Sequence, residues 1–284
     1  MRRPLLWTLS GAVAVGVLGL AARRVASDRH ARQAEAALFA ADAPPTFSEV
    51  HLDGLPEPAR RYLRHAIALG TPLAPACRLW MDGTMSPTPG ADQIVLTAVE
   101  TLAPRLGFVW TAQARMKGLP VRVRDHYLAG DGGVDVVALG LVPIPLGGGP
   151  DVTRSSRGRL IGEGVWCPTA LVHPDVAWEA VGADRARFTI AVDGDPVPVT
   201  LRVDAAGALR EVTLERWGDP DGGPARLHSY GFRVEAEGTF GGATIPTRVT
   251  GGWHYGTDAF DPATAASFTV RRAALAGGDR PADR

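Results

Sequence analysis

FVWTAQARM, residues 108–116, is the stretch that decides the fold class of this chain. Every second residue in it is apolar, and these residues would share one face of a β-strand: Phe108, Trp110, Ala112, Ala114 and Met116. This period of two predicts a half-buried antiparallel strand. The same alternation recurs in four further segments, residues 121–127, 186–192, 197–203 and 230–236.

Turns and an interruption organise these strands. Asp193-Gly194 and the segment 204–207 have the composition of hairpin connections. Residues 78–275 contain about ten candidate strands, too many for a flat single layer. Residues 151–171 lose the alternation and predict one or two short helices. We therefore expect a mainly β (α+β) fold, a curved antiparallel sheet of about ten strands with covering helices, whose concave side could hold a ligand.

The amino-terminal region has a different character. Residues 5–22 carry no charge and lie between Arg2-Arg3 and Arg23-Arg24. As a helix they would reach about 27 Å, close to the hydrocarbon thickness of a bilayer. We expect a transmembrane segment within residues 1–26, with a cleaved signal peptide as the alternative. The chain is then a single-pass protein of the cell membrane, with its soluble domain outside the cytoplasm.

The remaining boundaries follow from composition. Residues 27–44 lack glycine and predict a helical stalk that ends at Pro44-Pro45. Residues 45–276 are long enough for a single curved-sheet domain, and residues 277–284 predict a disordered tail. Within the domain, an apolar stripe predicts a helix that starts near Pro58 and ends at Gly70.

Composition argues against several classes of function. Thirty basic and thirty acidic residues without long runs of one sign give no nucleic-acid footprint. The seven histidines show no metal-ligand spacing, so no metal and no cofactor is expected. No serine-hydrolase elbow is present. Cys77 and Cys167 are expected to be buried thiols, with a disulfide between them as the alternative.

Asp125 and Arg159 are the polar residues that the sequence most clearly indicates for ion pairing, ligand binding or catalysis. Asp125 shares its strand face with Val121, Val123 and Tyr127, so it needs a partner or a raised pKa. It is an ion-pair partner, a contact for a ligand, or a catalytic acid or base. Arg159 pairs either with Glu163, one helical turn away, or with Asp125 across the concave side.

The expected ligand site combines this polar set with aromatic side chains. The apolar walls are assigned to Trp110, Tyr127, Trp166 and Trp178, and the polar set to Asp125, Arg159 and Glu163. Several aromatic residues with few polar neighbours suit an acyl chain better than a sugar or a nucleotide.

The sequence also resembles a known family. The quoted residues are Trp110-x-Ala112, Asp125-x-Tyr127-x-x-Gly130-x-Gly132, Arg159-x-x-x-Glu163-x-x-Trp166-x-Pro168, and Gly241-Gly242-x-x-Ile245-Pro246-Thr247 with Trp253. They are similar to a bacterial family of unknown function with an amino-terminal membrane segment. The order of elements resembles envelope lipoprotein carriers of the LolA and LppX type, a likeness that implies a curved sheet around acyl chains.

These observations predict a membrane-anchored envelope protein whose partners are the membrane and a hydrophobic small molecule, most plausibly a lipid, and not nucleic acid. Two alternatives stay open. One is an enzyme that uses Asp125 or Glu163 as an acid or base. The other is a structural envelope protein with a filled core and no ligand.

Overall fold

A computed structural model describes residues 24–40, 44–86 and 91–277 of the chain. Its centre is one antiparallel sheet of thirteen strands, so the expectation of about ten was wrong in number. Both edge strands give weak sequence signals, because one has only four residues and the other contains two prolines. The strands are β1 (Cys77–Met85), β2 (Ile94–Ala103), β3 (Gly107–Met116), β4 (Leu119–Leu128), β5 (Asp131–Ala138), β6 (Val142–Gly148), β7 (Ala177–Ala180), β8 (Arg185–Val192), β9 (Asp195–Val203), β10 (Leu209–Gly218), β11 (Arg226–Phe240), β12 (Ala243–Trp253) and β13 (Ala266–Leu275).

The sheet consists of two meanders joined along β1 and β13. Its order is β6-β5-β4-β3-β2-β1-β13-β12-β11-β10-β9-β8-β7, so consecutive strands are neighbours within each half. The connection from β8 to β9 is the expected hairpin at Asp193-Gly194, where both residues have positive φ. The first strand, β1, therefore pairs with the last strand, β13, at the centre of the sheet.

The helix α3 (Pro150–Gly162) shows that the sheet is strongly curved. It contacts β4 and β5 in the first meander and β9 and β10 in the second. In a flat sheet, the seven steps from β4 to β10 would separate these strands by about 34 Å. A helix is only about 10 Å wide, so the sheet must curl around it. The expected mainly β fold, a curved antiparallel sheet with helices on its concave side, is confirmed.

The strand that decided the fold class behaves largely as expected. Phe108, Trp110 and Ala112 of β3 are buried on the concave side, whereas Met116 is 37 % exposed. The alternation therefore predicts the face of Met116 but not its burial, because the strand continues beyond the core. Val109 is also buried, since a helix covers the convex side of this part of the sheet.

That covering helix, α1, comprises residues 24–39. It corresponds to most of the expected stalk, but it is packed against the sheet: Leu38 contacts a small cluster that includes Ala76, Val109 and Ala276. Near its start, Asp28 accepts hydrogen bonds from Arg122 at 2.9 Å and Arg124 at 2.7 Å. Attractive contacts with both arginines outweigh burial and lower the pKa of Asp28.

The predicted membrane segment lies outside the described residues except for its last three positions, and of the predicted tail only Gly277 is described. Within the described ranges, no helix is both long and apolar enough to cross a membrane.

The other helices pack on the concave side. α2 (Glu57–Ala66) buries Ala59, Tyr62, Leu63 and Ala66 as expected, but it ends at Ala66 and not at Gly70. Ile67 leaves the helix to form an isolated bridge with Ala243, a long-range contact that the local pattern does not encode. After α3, two 3₁₀ turns (Glu163–Trp166 and Pro168–Val172) complete the expected helical interruption.

Cys77 and Cys167 both contribute to the concave-side core. Each is buried and neither forms a disulfide in the part of the chain that the structure describes. Burial raises the pKa of the Cys77 thiol well above its ordinary value, as expected for a structural cysteine.

The docking of α2 can be tested at the turn between β9 and β10. Gly207 has φ +91°, and an added Cβ would lie 2.3 Å from the carbonyl oxygen of Arg61 in α2. Gly194 also has a positive φ, but a Cβ there would meet nothing within 4 Å. We expect Gly194→Ala to lower the free energy of unfolding by about 1–2 kcal/mol, through backbone strain alone.

For Gly207→Ala we expect a further loss of about 1–3 kcal/mol, because overlap with α2 is added to the same strain. Urea denaturation of both variants measures the difference. Equal losses would contradict the close approach of α2 to this turn.

Candidate functional site

A row of three side chains crosses the concave face of the first meander. Trp110 of β3 lies opposite Glu100 of β2 on one side and opposite Asp125 of β4 on the other. Because each of the three shares its strand face with buried apolar residues of the core, all three point towards α3 on the concave side. The row therefore places an indole ring between two carboxyl groups.

Arg159 of α3 extends into this row. Its guanidinium donates to Asp125 at 2.6 Å, to Glu163 at 2.9 Å and to Glu100 at 3.4 Å. The same group lies 5.1 Å from the ring centroid of Trp110 and 4.8 Å from that of Phe108, within the range of cation–π attraction. Both partners proposed for Arg159, Glu163 and Asp125, are therefore present together. We call Arg159, Glu100, Asp125 and Glu163 the arginine cluster.

Protonation of the arginine cluster follows from its burial. Burial raises the pKa of Glu100 well above its ordinary value, and the negative charge of Glu163 adds to this effect. Burial alone would lower the pKa of Arg159, but Glu163, Asp125 and Glu100 together raise it well above its usual range. Oε2 of Glu163 is buried and finds no donor among the described residues if Glu100 is ionised. A hydrogen bond between the two carboxyl groups requires a proton, and this also raises the pKa of Glu100.

The charge balance has a consequence for binding. Arg159 supplies one guanidinium, whereas Asp125, Glu163 and Glu100 supply three carboxyl groups, so acidic groups outnumber basic ones in the arginine cluster. The polar end of the site is therefore suited to a group that donates hydrogen bonds, not to an anion.

A cavity of about 50 Å³ adjoins the arginine cluster. Arg159, Glu163 and Trp166 line it from the helical side. Trp166 is held in place by a hydrogen bond from its indole nitrogen to the carbonyl of Pro246 at 2.9 Å, and its ring lies 5.1 Å from that of Phe232. The opposite wall, from β10–β13, includes Leu214, Tyr230, Phe232, Val249, Ala266 and Phe268.

Five of the seven residues predicted for the site meet here. Trp110, Asp125 and Arg159 contact one another beside the cavity, while Arg159, Glu163 and Trp166 line it. No ligand contact tests these assignments, so their binding roles stay predictions.

The other two predicted residues lie elsewhere. The Tyr127 hydroxyl donates to Asp193 in the β8–β9 turn, which joins the two meanders. Trp178 packs between Tyr62 and Phe188, with ring centroids 6.2 and 5.4 Å away, and its indole donates to Leu171. Neither side chain lines the cavity. The sequence grouped them with the site because they are aromatic, but the curved sheet places them elsewhere.

Glu100 is the residue that the sequence analysis missed. It is 2 % exposed and stands in the alternation Leu96, Ala98, Glu100, Leu102. The criterion that identified Asp125, a carboxylate on an apolar strand face, identifies Glu100 equally well. The second meander's wall, including Tyr230 and Phe268, was also not assigned.

One further group of polar side chains lies away from the cavity. Asp221, His228 and His254 offer three ligand atoms within 4.8 Å of one another. Asp221 contacts His254 at 2.9 Å and accepts from Arg226 at 3.2 Å, so ion pairing accounts for this group. The expectation of no metal and no cofactor stays a prediction.

The arginine cluster predicts unequal costs of truncation. Arg159→Ala leaves three carboxyl groups without their counter-charge, so we expect it to lower the free energy of unfolding by about 3–5 kcal/mol. Asp125→Ala leaves Arg159 with two partners, so it should lower the free energy of unfolding by less than Arg159→Ala does. A simple ion pair of Arg159 with Asp125 would instead give equal losses for the two variants. The double variant should cost less than the sum of the two, as measured by urea denaturation. Additive losses would show that the two residues do not interact.

Glu100 predicts a pH dependence of stability. Because its pKa is raised on folding, the native state binds more protons than the unfolded state above the ordinary pKa of glutamate, and stability falls as pH rises through this window. Glu100→Gln keeps a neutral donor and removes the titration. We expect its free energy of unfolding, relative to the parent chain, to increase between about pH 5 and pH 8. A constant difference would contradict a protonated Glu100.

Comparisons with solved structures find similar chains, each at low sequence identity. A LolA superfamily protein from Nitrosomonas europaea has a TM-score of 0.42 and 12 % identity, covering 79 % of this chain and 93 % of the other. A domain described as an outer membrane lipoprotein-sorting protein, from Vibrio parahaemolyticus, has a TM-score of 0.33 and 6 % identity, with 72 % and 87 % covered. A DUF1329 family protein from Desulfovibrio piger has a TM-score of 0.36 and 10 % identity, with 73 % and 88 % covered.

The solved structures to which this chain is similar thus include a LolA superfamily protein and a lipoprotein-sorting protein domain. No curated protein matches the sequence. The resemblance to a family of unknown function is confirmed, since the model of one such family matches residues 45–264. The chain belongs to the family of unknown function DUF6544.

Proposed function

We propose that this protein binds a hydrophobic ligand on the concave side of its sheet, between the α3 segment and strands β10–β13. The observation that carries this proposal is the cavity beside the arginine cluster. Its walls are mainly apolar and aromatic, and its polar groups, Arg159 and Glu163, lie together at one end. Apolar walls with a few convergent polar groups are typical of small-molecule sites.

The size of the cavity constrains the mode of binding. A cavity of about 150 Å³ accommodates benzene, so the present 50 Å³ is too small for an acyl chain. Binding must therefore widen the cavity. Tyr230 and Phe268 are only partly buried, so displacing their rings costs less than moving a fully buried side chain. We propose that the ligand enters between these rings and Trp166.

The ligand class follows from the charge of the cluster. A net negative arginine cluster repels a carboxylate or a phosphate and attracts a hydroxyl, an amine or an ammonium group. The proposed ligand is a lipid or similar long apolar molecule with such a donor at its polar end. The predicted membrane segment would keep the domain beside the bilayer, where such molecules dissolve, and we propose the cell envelope as its location.

A second candidate is an enzyme, and one observation favours it. Glu163 lines the cavity beside Glu100, whose raised pKa makes that neighbour a source of protons for a general acid. Asp125 is occupied by Arg159 and Ser156 and does not line the cavity. Of the two carboxylates first considered, Glu163 is therefore the catalytic candidate.

Ligand binding can be tested with a long-chain alcohol that carries a photoreactive diazirine. The full chain in mild detergent is irradiated with the probe, and the modified peptides are identified by mass spectrometry. We expect labelling in residues 158–166 or 249–268, because these segments face each other across the cavity. The matching fatty acid should label more weakly, since its carboxylate meets the negative cluster.

Two variants of one strand provide the control. Ala266 lines the cavity, whereas Ser267 is on the opposite face of β13. Ala266→Leu should fill the cavity and abolish labelling there, and Ser267→Leu should leave it unchanged. Labelling that persists in Ala266→Leu, or is absent in the parent chain, would contradict the proposal and favour a structural protein with a filled core.

A further inference from the structure

Two neighbouring hairpin turns at one end of the sheet present apolar side chains to solvent. These are the turn between β3 and β4 and the turn between β5 and β6, which are joined by a hydrogen bond from the Leu139 amide to the Pro120 carbonyl at 2.9 Å. Six apolar side chains in and beside them are between 37 and 56 % exposed: Met116, Leu119, Leu139, Leu141, Val142 and Ile144. We call these six residues the apolar tip.

The sequence around the apolar tip is unusual for a sheet edge. Residues 136–150 contain no charged side chain, although they include β6, the outermost strand of the first meander. Soluble proteins usually protect such edges with charges, and an exposed apolar group of this kind marks a contact site. Pro143 and Pro145 lack amide donors, so β6 is poorly suited to pair with a strand of another protein.

The position of α1 indicates what covers the apolar tip. Arg24, at the start of α1, donates a hydrogen bond to the carbonyl of Gly140 in the β5–β6 turn. Asp28, one turn later, is fixed to Arg122 of β4. The uncharged residues 5–22 end directly before Arg23-Arg24 in the sequence. The predicted membrane segment therefore joins the domain at the apolar tip.

The hairpin of β3 and β4 carries only basic charges. Residues 107–124 contain four basic residues and no acidic residue, and two of the four, Arg122 and Arg124, pair with Asp28 of α1. Arg115 and Lys117, at the β3–β4 turn, are exposed. Basic side chains next to a membrane segment are attracted to anionic lipid headgroups, by about 1 kcal/mol each.

We propose that the apolar tip is a membrane-contact surface, on which the domain rests against an anionic bilayer with Leu119 and Leu139 in the interfacial layer. Arg115 and Lys117 bind the headgroups. This inference depends on the predicted membrane segment but not on the ligand proposed for the cavity. It assigns the orientation of the domain: the β3–β4 and β5–β6 turns face the lipid.

The test uses the full chain reconstituted into vesicles that contain phosphatidylcholine and phosphatidylglycerol. Leu119→Cys and Leu139→Cys are labelled with an environment-sensitive NBD fluorophore, and doxyl-labelled lipids serve as the quencher. Leu69→Cys is the matched control, because Leu69 is apolar and 65 % exposed but lies outside the apolar tip. The parent chain gives the background from the buried Cys77 and Cys167.

We expect blue-shifted emission and several-fold stronger lipid quenching at residues 119 and 139 than at residue 69. Arg115→Gln with Lys117→Gln should reduce this quenching in the anionic vesicles. Equal quenching at all three sites would overturn the proposal. So would protection from water without lipid quenching, which indicates a second copy of the chain on this surface. A chain that does not float with the vesicles would overturn the membrane segment and this inference together.

Discussion

The rest of the structure depends on the ion pairs of Arg159. Its side chain is only 15 % exposed, so its guanidinium needs counter-charges and acceptors, and the sheet supplies them from β2 and β4 on either side of Trp110. This requirement fixes α3 against the first meander. On its other side, Gly158 and Gly162 let α3 approach Arg216 and Leu214 of β10 closely. The helix thereby connects the two halves of the sheet and maintains the curl.

The cavity is a consequence of this arrangement. The arginine cluster fixes the position of α3, and a hydrogen bond to Pro246 fixes Trp166. Because neither can move closer to strands β10–β13, a cavity remains between these strands and the α3 segment. The cluster at one end of that space contains three carboxyl groups and one guanidinium. Under the proposed function, the interaction that stabilises the fold also determines which polar group the ligand carries.

The sequence predicts the parts of this account that depend on local pattern. Alternation reveals the strands and the apolar face of Asp125, and the loss of alternation reveals α3. Long-range contacts are not encoded in this way: the bridge of Ile67 to Ala243 ends α2 early, and Trp178 packs with α2 instead of the cavity. Glu100 is different, because the pattern around it was sufficient to identify it.

The central claim is that Glu100 holds a proton within the arginine cluster at neutral pH. Infrared difference spectroscopy of the full chain against Glu100→Gln measures this directly through the carboxylic-acid C=O stretch. We predict one such band in the parent chain that disappears in the variant. Spectra that show only ionised carboxylates would mean that three negative charges surround Arg159, and would contradict a protonated Glu100.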